Sequence, residues 1–310
     1  MLRVLSLVVL LMLDDVPRFL QCLRTLEAFF PFDHVRELVV LSPDQNAYDE
    51  ILAARLVESN YTVRYLADSA VLGALNGRPR RINYMVQQGL KLLVARHIST
   101  PFYLLFDSDV LMLQRLQNWS SVFPSQLRAA YVPEPSSSHP NLWKCSCLLL
   151  GFNETCGTEY RFGATPAILS TKIALSALQL IEATHHTAAE VRLLDNSMPS
   201  CPYMKPDFPW SEFTIYAISG YAHGDFFDHH SLADRPAFYG GIWSSSQLRS
   251  CCLNGSDATC TVDPMLLLKL AREHCGDSVF CVVQSTAQKE IGVPVSAWKG
   301  LVDAILTNVT

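Results

Sequence analysis

Basic side chains are scarce: 24 Lys and Arg stand against 29 Asp and Glu in 310 residues, a net charge of -5. That balance gives no electrostatic footing for nucleic acid, and the class is set aside. Long apolar runs are missing too. Residues 4–13, VLSLVVLLML, form the most continuous one, far below the roughly 20 residues that span a bilayer. No small-residue cleavage site follows before Asp14 and Asp15, so the run reads as a first core strand rather than a signal segment. No transmembrane segment is therefore expected in this chain, and a targeting or anchoring segment is expected to be either missing from it or upstream of it. Glycine is absent from LMLDDVPRF after that strand, which leaves a dehydrogenase-type cofactor site unsupported. No C-x-x-C pair is matched by a second pair or a His pair at zinc-finger spacing. There is no internal repeat and no long low-complexity segment.

What is present points to an oxidising compartment. Of ten cysteines, three cluster at Cys145, Cys147 and Cys156 and five between Cys251 and Cys281, a usage that predicts disulfides. Five of the ten Asn residues, Asn60, Asn118, Asn153, Asn254 and Asn308, open an N-x-S/T sequon, where chance gives about one or two. Both observations predict the secretory-pathway lumen. With 49% hydrophobic residues, the chain can bury a large core as one domain or two tightly joined halves.

In chain order the first strand is followed by Asp14, Asp15 and Pro17, an N-cap and first-turn combination. The helix after it carries Phe19, Leu20, Leu23, Leu26 and Phe30 at helical spacing. A strand at Leu38–Leu41, a helix over about 48–59 and an alternating strand, YTVRYL, at 61–66 come next. A Gly- and Arg-bearing loop precedes a third helix over 83–97. Alternating β and α elements predict a parallel, doubly wound sheet with its crevice at the strand ends. Beyond Leu113 the pattern loosens. EPSSSHPN reads as a polar loop, 162–170 as a strand entering a helix, and 210–218 as a short aromatic helix.

The chain is organised around PFYLLFDSDVLML, residues 101–113. A buried strand, 102–106, runs into Asp107 and Asp109, two carboxylates that flank the small Ser108. Carboxylates beside an apolar core need a donor or a metal, and two acids at a strand end suit a hard cation and the phosphates it carries. The bland alternative is that both acids cap a turn. A phosphohydrolase of the haloacid dehalogenase type also places D-x-D after an apolar strand. Its motif opens the domain and continues with Thr or Val where Leu111 stands here.

Taken together, Gln87, Gln88 and Lys91 on one helix, Tyr103 to Asp109, and then Trp210, Ser211 and Glu212 resemble the GT-A-fold glycosyltransferases. The likeness is strongest to a little-characterised group with a Q-Q-x-x-K-like helix, a D-S-D strand and a W-S-E motif. It spans about 4–243, and the residues from Ser244 onward match nothing in it. The resemblance implies an α/β, GT-A-like fold: a Rossmann-like, mostly parallel sheet flanked by helices, with a less regular C-terminal half. Residues 1–115 would form the nucleotide-sugar-binding half and 116–310 the acceptor half with a disulfide-rich end, in one compact domain.

The implied reaction is metal-dependent transfer of a sugar from a nucleotide-diphosphate sugar to a hydroxyl of a glycan, glycoprotein or glycolipid, in the Golgi lumen. Carried over, Asp109 would hold Mn²⁺ or Mg²⁺, with Asp107 contacting the ribose or the metal through water and His223 as a candidate third ligand, a role for which Asp225, His229 and His230 compete and beside which an ordinary structural His is the commoner use. Arg80, Arg81, Gln87 and Lys91 would reach donor phosphates, or else form an ordinary solvated face. Glu212 is the candidate general base; it could equally bind an acceptor hydroxyl or cap its helix. Trp210, Tyr216 and Trp243 could stack on sugars, though a place in the core is the commoner use of an aromatic ring. A different class of function, a catalytically inactive luminal carbohydrate-binding protein with the same fold, fits the same residues.

Overall fold

The computed structural model describes residues 3–54, 61–75, 83–125, 128–153, 156, 160–162, 165–197, 201–203, 210–232, 238–252, 261–284 and 293–307. The first part alternates as the sequence predicts: β1 (Leu5–Leu10), α1 (Val16–Phe29), β2 (Val35–Ser42), α2 (Gln45–Ala54), β3 (Thr62–Ala67), α3 (Asp68–Val71), α4 (Asn83–Leu93) and β4 (Phe102–Phe106). After it come β5 (Val110–Leu111), β6 (Ala129–Tyr131), β7 (Pro133–Pro135), α5 (Pro140–Leu149), β8 (Tyr160–Phe162), β9 (Ala167–Ser170), α6 (Thr171–His185) and α7 (Ala189–Leu194). The last part holds α8 (Glu212–Ala222), α9 (Phe226–His229), β10 (His230–Leu232), β11 (Tyr239–Ile242), α10 (Ser245–Arg249), α11 (Pro264–Cys275), β12 (Phe280–Val283) and α12 (Val295–Thr307).

The main sheet runs β3-β2-β1-β4-β9. Its first four strands are parallel, and β9 is antiparallel to β4. Strand side chains alternate between faces, and here both faces are buried. Leu7 and Val9 of β1 and Leu104 and Phe106 of β4 enter one core, shared with α1, α11 and α12. Val8, Tyr103 and Leu105 enter the other, shared with α4, α6, α7 and α8. Strands covered on both sides read as near-continuous apolar runs, which is why β1, LSLVVL, lies within VLSLVVLLML.

Two local expectations change. Asp15 occupies the N-cap of α1 but makes no capping hydrogen bond; its carboxylate accepts from Arg18 at 3.0 Å instead. The segment expected as a polar loop, EPSSSHPN at 134–141, instead holds the end of β7 and the start of α5. Pro140 stands in the first turn of that helix, where a missing N–H costs nothing. Disulfides Cys145–Cys201 and Cys147–Cys156 then tether it.

The residues from Ser244 onward are integral. Helix α12 packs on α1, with Arg24 and Asp303 paired at 2.8 Å. Strand β12 joins β11 and β5 in a second sheet, and Cys275–Cys281 ties α11 to β12. Cys252 is also disulfide-bonded. Cys22 and Cys251 are free and buried.

Candidate active site

Strand β4 ends at Phe106, and Asp107, Ser108 and Asp109 make the turn to β5, at the carboxyl ends of the parallel strands where α/β sheets bind ligands. The two carboxylates meet different surroundings. The Asp107 side chain is 39% exposed; its Oδ1 lies 3.3 Å from the Lys91 Nζ and its Oδ2 accepts from the Thr165 hydroxyl at 2.5 Å. Asp109 is 6% exposed, and its carbonyl accepts from the Val283 N–H at 3.0 Å. Beneath the turn, the buried Cys22 thiol donates to the Ser108 carbonyl at 2.8 Å. Burial and then the Asp109 charge push that thiol well above its ordinary pKa.

Lys91 comes from the last turn of α4, whose position is fixed where the Tyr103 hydroxyl of β4 donates to the Lys91 carbonyl at 3.1 Å. Its ammonium also faces Glu212 Oε1 at 3.7 Å and lies 6.0 Å from the centre of the Phe213 ring. Gln88, one turn earlier, sets its amide against the Glu212 carboxylate; the amide is assigned with its NH₂ on that side, so that it donates to the carboxylate. Glu212 opens α8 and is 1% exposed. Burial pushes its carboxyl above the ordinary pKa, partly offset by Lys91. Burial works against the Lys91 charge as well, but Asp107 and Glu212 outweigh it and raise the ammonium's pKa. The buried cluster therefore holds a standing positive charge between a deep carboxylate and an accessible one.

The structure brings Asp107, Lys91 and Glu212 together, sets Asp109 two residues on with its charge acting on Cys22, and leaves other expected residues out. His223 lies just beyond the far end of α8 from Glu212, where its Nδ1 donates to the Ser219 carbonyl at 2.8 Å. With 11 residues in α8, the separation is about 16 Å at helical rise, and His223 is withdrawn as a third metal ligand. Trp210 is 4% exposed and packs in the core, not as a sugar platform. Tyr216 is fully buried. Gln87 is exposed, while Gln88 points inward. Arg80 and Arg81 lie outside the described residues.

Trp243 is half-buried and stands beside the site. Ile242 pairs with Val283 and Val283 bonds Asp109, so Trp243 is about two strand spacings, ~10 Å, from the Asp109 backbone. Sequence reasoning missed Thr165, which lies 58 positions from Asp107 and carries no local signal. It also missed Tyr84, exposed on the Lys91 face of α4 and close enough to act on the Lys91 charge; its spacing of seven from Lys91 was the available signal.

A model of the Family of unknown function (DUF6492) matches residues 3–300. No curated protein matches the chain. Among solved structures, the galactosyltransferase LgtC in complex with donor and acceptor sugar analogues aligns over 96% of this chain and 95% of its own, at 11% identity and a TM-score of 0.52. An active-site glutamine-to-glutamate mutant of LgtC aligns over the same shares at 12% identity and a TM-score of 0.50. At such identities the likeness establishes the fold: a mostly parallel, helix-flanked GT-A-type sheet.

Proposed function

The chain belongs to the Family of unknown function (DUF6492), and we propose that it is a metal-dependent glycosyltransferase. It would move a sugar from a nucleotide-diphosphate donor to a hydroxyl of a glycan, glycoprotein or glycolipid. The observation that carries this reading is the Asp107–Lys91–Glu212 cluster at the mouth of a GT-A-type sheet. Residues 1–115 then serve the donor and 116–310 the acceptor.

The donor set fits a hard cation. Asp107 and Asp109 offer carboxylate oxygens, and Mg²⁺-type ions combine one or two carboxylates with water and substrate phosphates. Among the described residues no group of three or more His, Cys, Asp and Glu could hold a metal by itself; Asp107 and Asp109 would hold the ion together with water and the donor phosphates. Such an ion, when bound, neutralises the diphosphate leaving group. The chain's own part is electrostatic: Lys91 presents a fixed cation to a charge that develops on the leaving oxygens. Thr165 holds one Asp107 oxygen and so fixes the carboxylate plane. Gln87, Arg80 and Arg81 are assigned to the donor, and Trp243 to the acceptor.

The disulfides are consistent with a secretory or extracellular protein, and no helix among the described residues is long and apolar enough to cross a membrane. We assign the chain to the Golgi lumen. Asn118 and Asn153 are exposed and are the proposed N-glycan carriers; Asn60, Asn254 and Asn308 lie outside the described residues. A glycosidase specific for Asn-linked glycans should lower the mass of the secreted chain in steps, with one step gone in Asn118→Gln. An unchanged mass would remove the assignment.

Turnover tests the function itself. With Mn²⁺ and an acceptor glycan panel, one nucleotide sugar should release its nucleoside diphosphate, and Asp107→Asn should abolish the release. Binding of glycans without release from any donor would favour the carbohydrate-binding protein.

A further inference from the structure

Glu212 entered as the candidate base for the acceptor hydroxyl, and its surroundings do not suit that role. A base must reach the proton it abstracts directly or through one water. The Glu212 carboxylate is 1% exposed and its oxygens face the chain's own groups. Gln88 donates to it, the Ser211 hydroxyl lies 3.4 Å away, and the Lys91 ammonium lies 3.7 Å away. Lys91, by contrast, joins this closed floor to the open mouth, because its other partner Asp107 is 39% exposed.

We infer that Glu212 is a positioning residue that works through Lys91: with Gln88 it anchors the ammonium from below, so that Lys91 stands against Asp107 and toward the donor. The inference rests on the transferase reading and deepens it. Three features of the chain support it. An ammonium has three N–H donors, and its two carboxylate partners, Glu212 on the closed side and Asp107 at the mouth, set its direction and leave capacity for a ligand. Gln88 and Lys91 are one helical turn apart on α4, and Glu212 lies at the first turn of α8, so the anchor is built on two packed helices rather than on loops. A buried ion pair is weak support for stability, since apolar residues of similar volume commonly serve as well. An ion pair held at a strand-end crevice is better understood as orienting a charge for use.

Steady-state kinetics of Glu212→Gln, Lys91→Met and the double variant, with melting temperatures beside them, test this. Glu212→Gln keeps shape and hydrogen bonding, so it should fold and lower kcat by about 100-fold, the scale of a misplaced group, with acceptor KM unchanged. The double variant should be no slower than Lys91→Met alone, because without Lys91 there is nothing left for Glu212 to position. It should also recover melting temperature lost in Lys91→Met, where the Glu212 charge is stranded. Multiplying losses in the double variant, or a near-normal Lys91→Met beside a dead Glu212→Gln, would overturn the inference and restore Glu212 as a base. An inert wild type would sink the transferase reading and this one with it; intact coupling in the melting temperatures would still tell that failure apart from a misassigned pair.

Discussion

His230 shows how the back of the site is tied by one hydrogen-bond chain. The Ser170 N–H donates to the Tyr216 hydroxyl at 2.6 Å, so that hydroxyl donates onward to His230 Nε2 at 2.7 Å. This fixes Nε2 as the acceptor, and it docks α8 onto the end of β9. Burial, with a smaller push from His229, holds the His230 pKa down to about 3. The unfolded value is about 6.5, so above that pH the ring is neutral in both states and its contribution to stability is complete. As pH falls from about 6.5 toward 3, the unfolded chain binds the proton first, and stability drops by up to about 1.4 kcal/mol per pH unit. Urea midpoints should fall between pH 7 and pH 5, and His230→Gln should flatten that fall. Equal slopes in the two proteins would show that another group is responsible.

At the scale of elements, β11 packs closely on α11, and that makes its own prediction. A Cβ on Gly240 would lie 2.5 Å from the Cys275 Cα and 2.5 Å from the His274 carbonyl oxygen, both backbone atoms. Gly240→Ala should therefore lower stability by about 1–3 kcal/mol or more, as overpacking does. A Cβ on Gly89 meets only the movable Leu194 side chain, at 2.8 Å, so Gly89→Ala should cost less. Chemical denaturation of both variants checks the order, and a harmless Gly240→Ala would mean that the second sheet packs more loosely than described.

The elements also show what sequence could reveal. β4 was legible to the residue because five apolar side chains end abruptly in Asp107; α1 and α4 were legible from their 3.6-residue spacing. α5 was hidden behind the polar EPSSSHPN, since its stability comes from two disulfides and burial rather than from pattern. The site was half legible. Asp107, Lys91 and Glu212 stood out as charges set in apolar runs, but only tertiary packing could tell that α8 points Glu212 inward and carries His223 away. Thr165 was invisible for the same reason, because its contact with Asp107 arises from the antiparallel return of β9 beside β4.

For the whole molecule, the sheet is a wall between two cores, and the C-terminal segment closes one of them. Trp298 of α12 is fully buried there, on the helix that packs against α1 and α11. Through the Val283 N–H on the Asp109 carbonyl, the segment unlike any motif supports the turn that carries both acids. The central claim is that this turn binds a nucleotide through a cation. Its most direct test is the melting temperature of the full chain with Mn²⁺ against a panel of nucleoside diphosphates, with Asp109→Asn alongside. A ligand at 100 times its Kd stabilises the folded state by about 2.7 kcal/mol. The account predicts an upward shift of several degrees with one nucleotide, dependent on Mn²⁺ and lost in Asp109→Asn. A well-folded protein that shifts with none of them, or equally with and without the metal and the mutation, would contradict it.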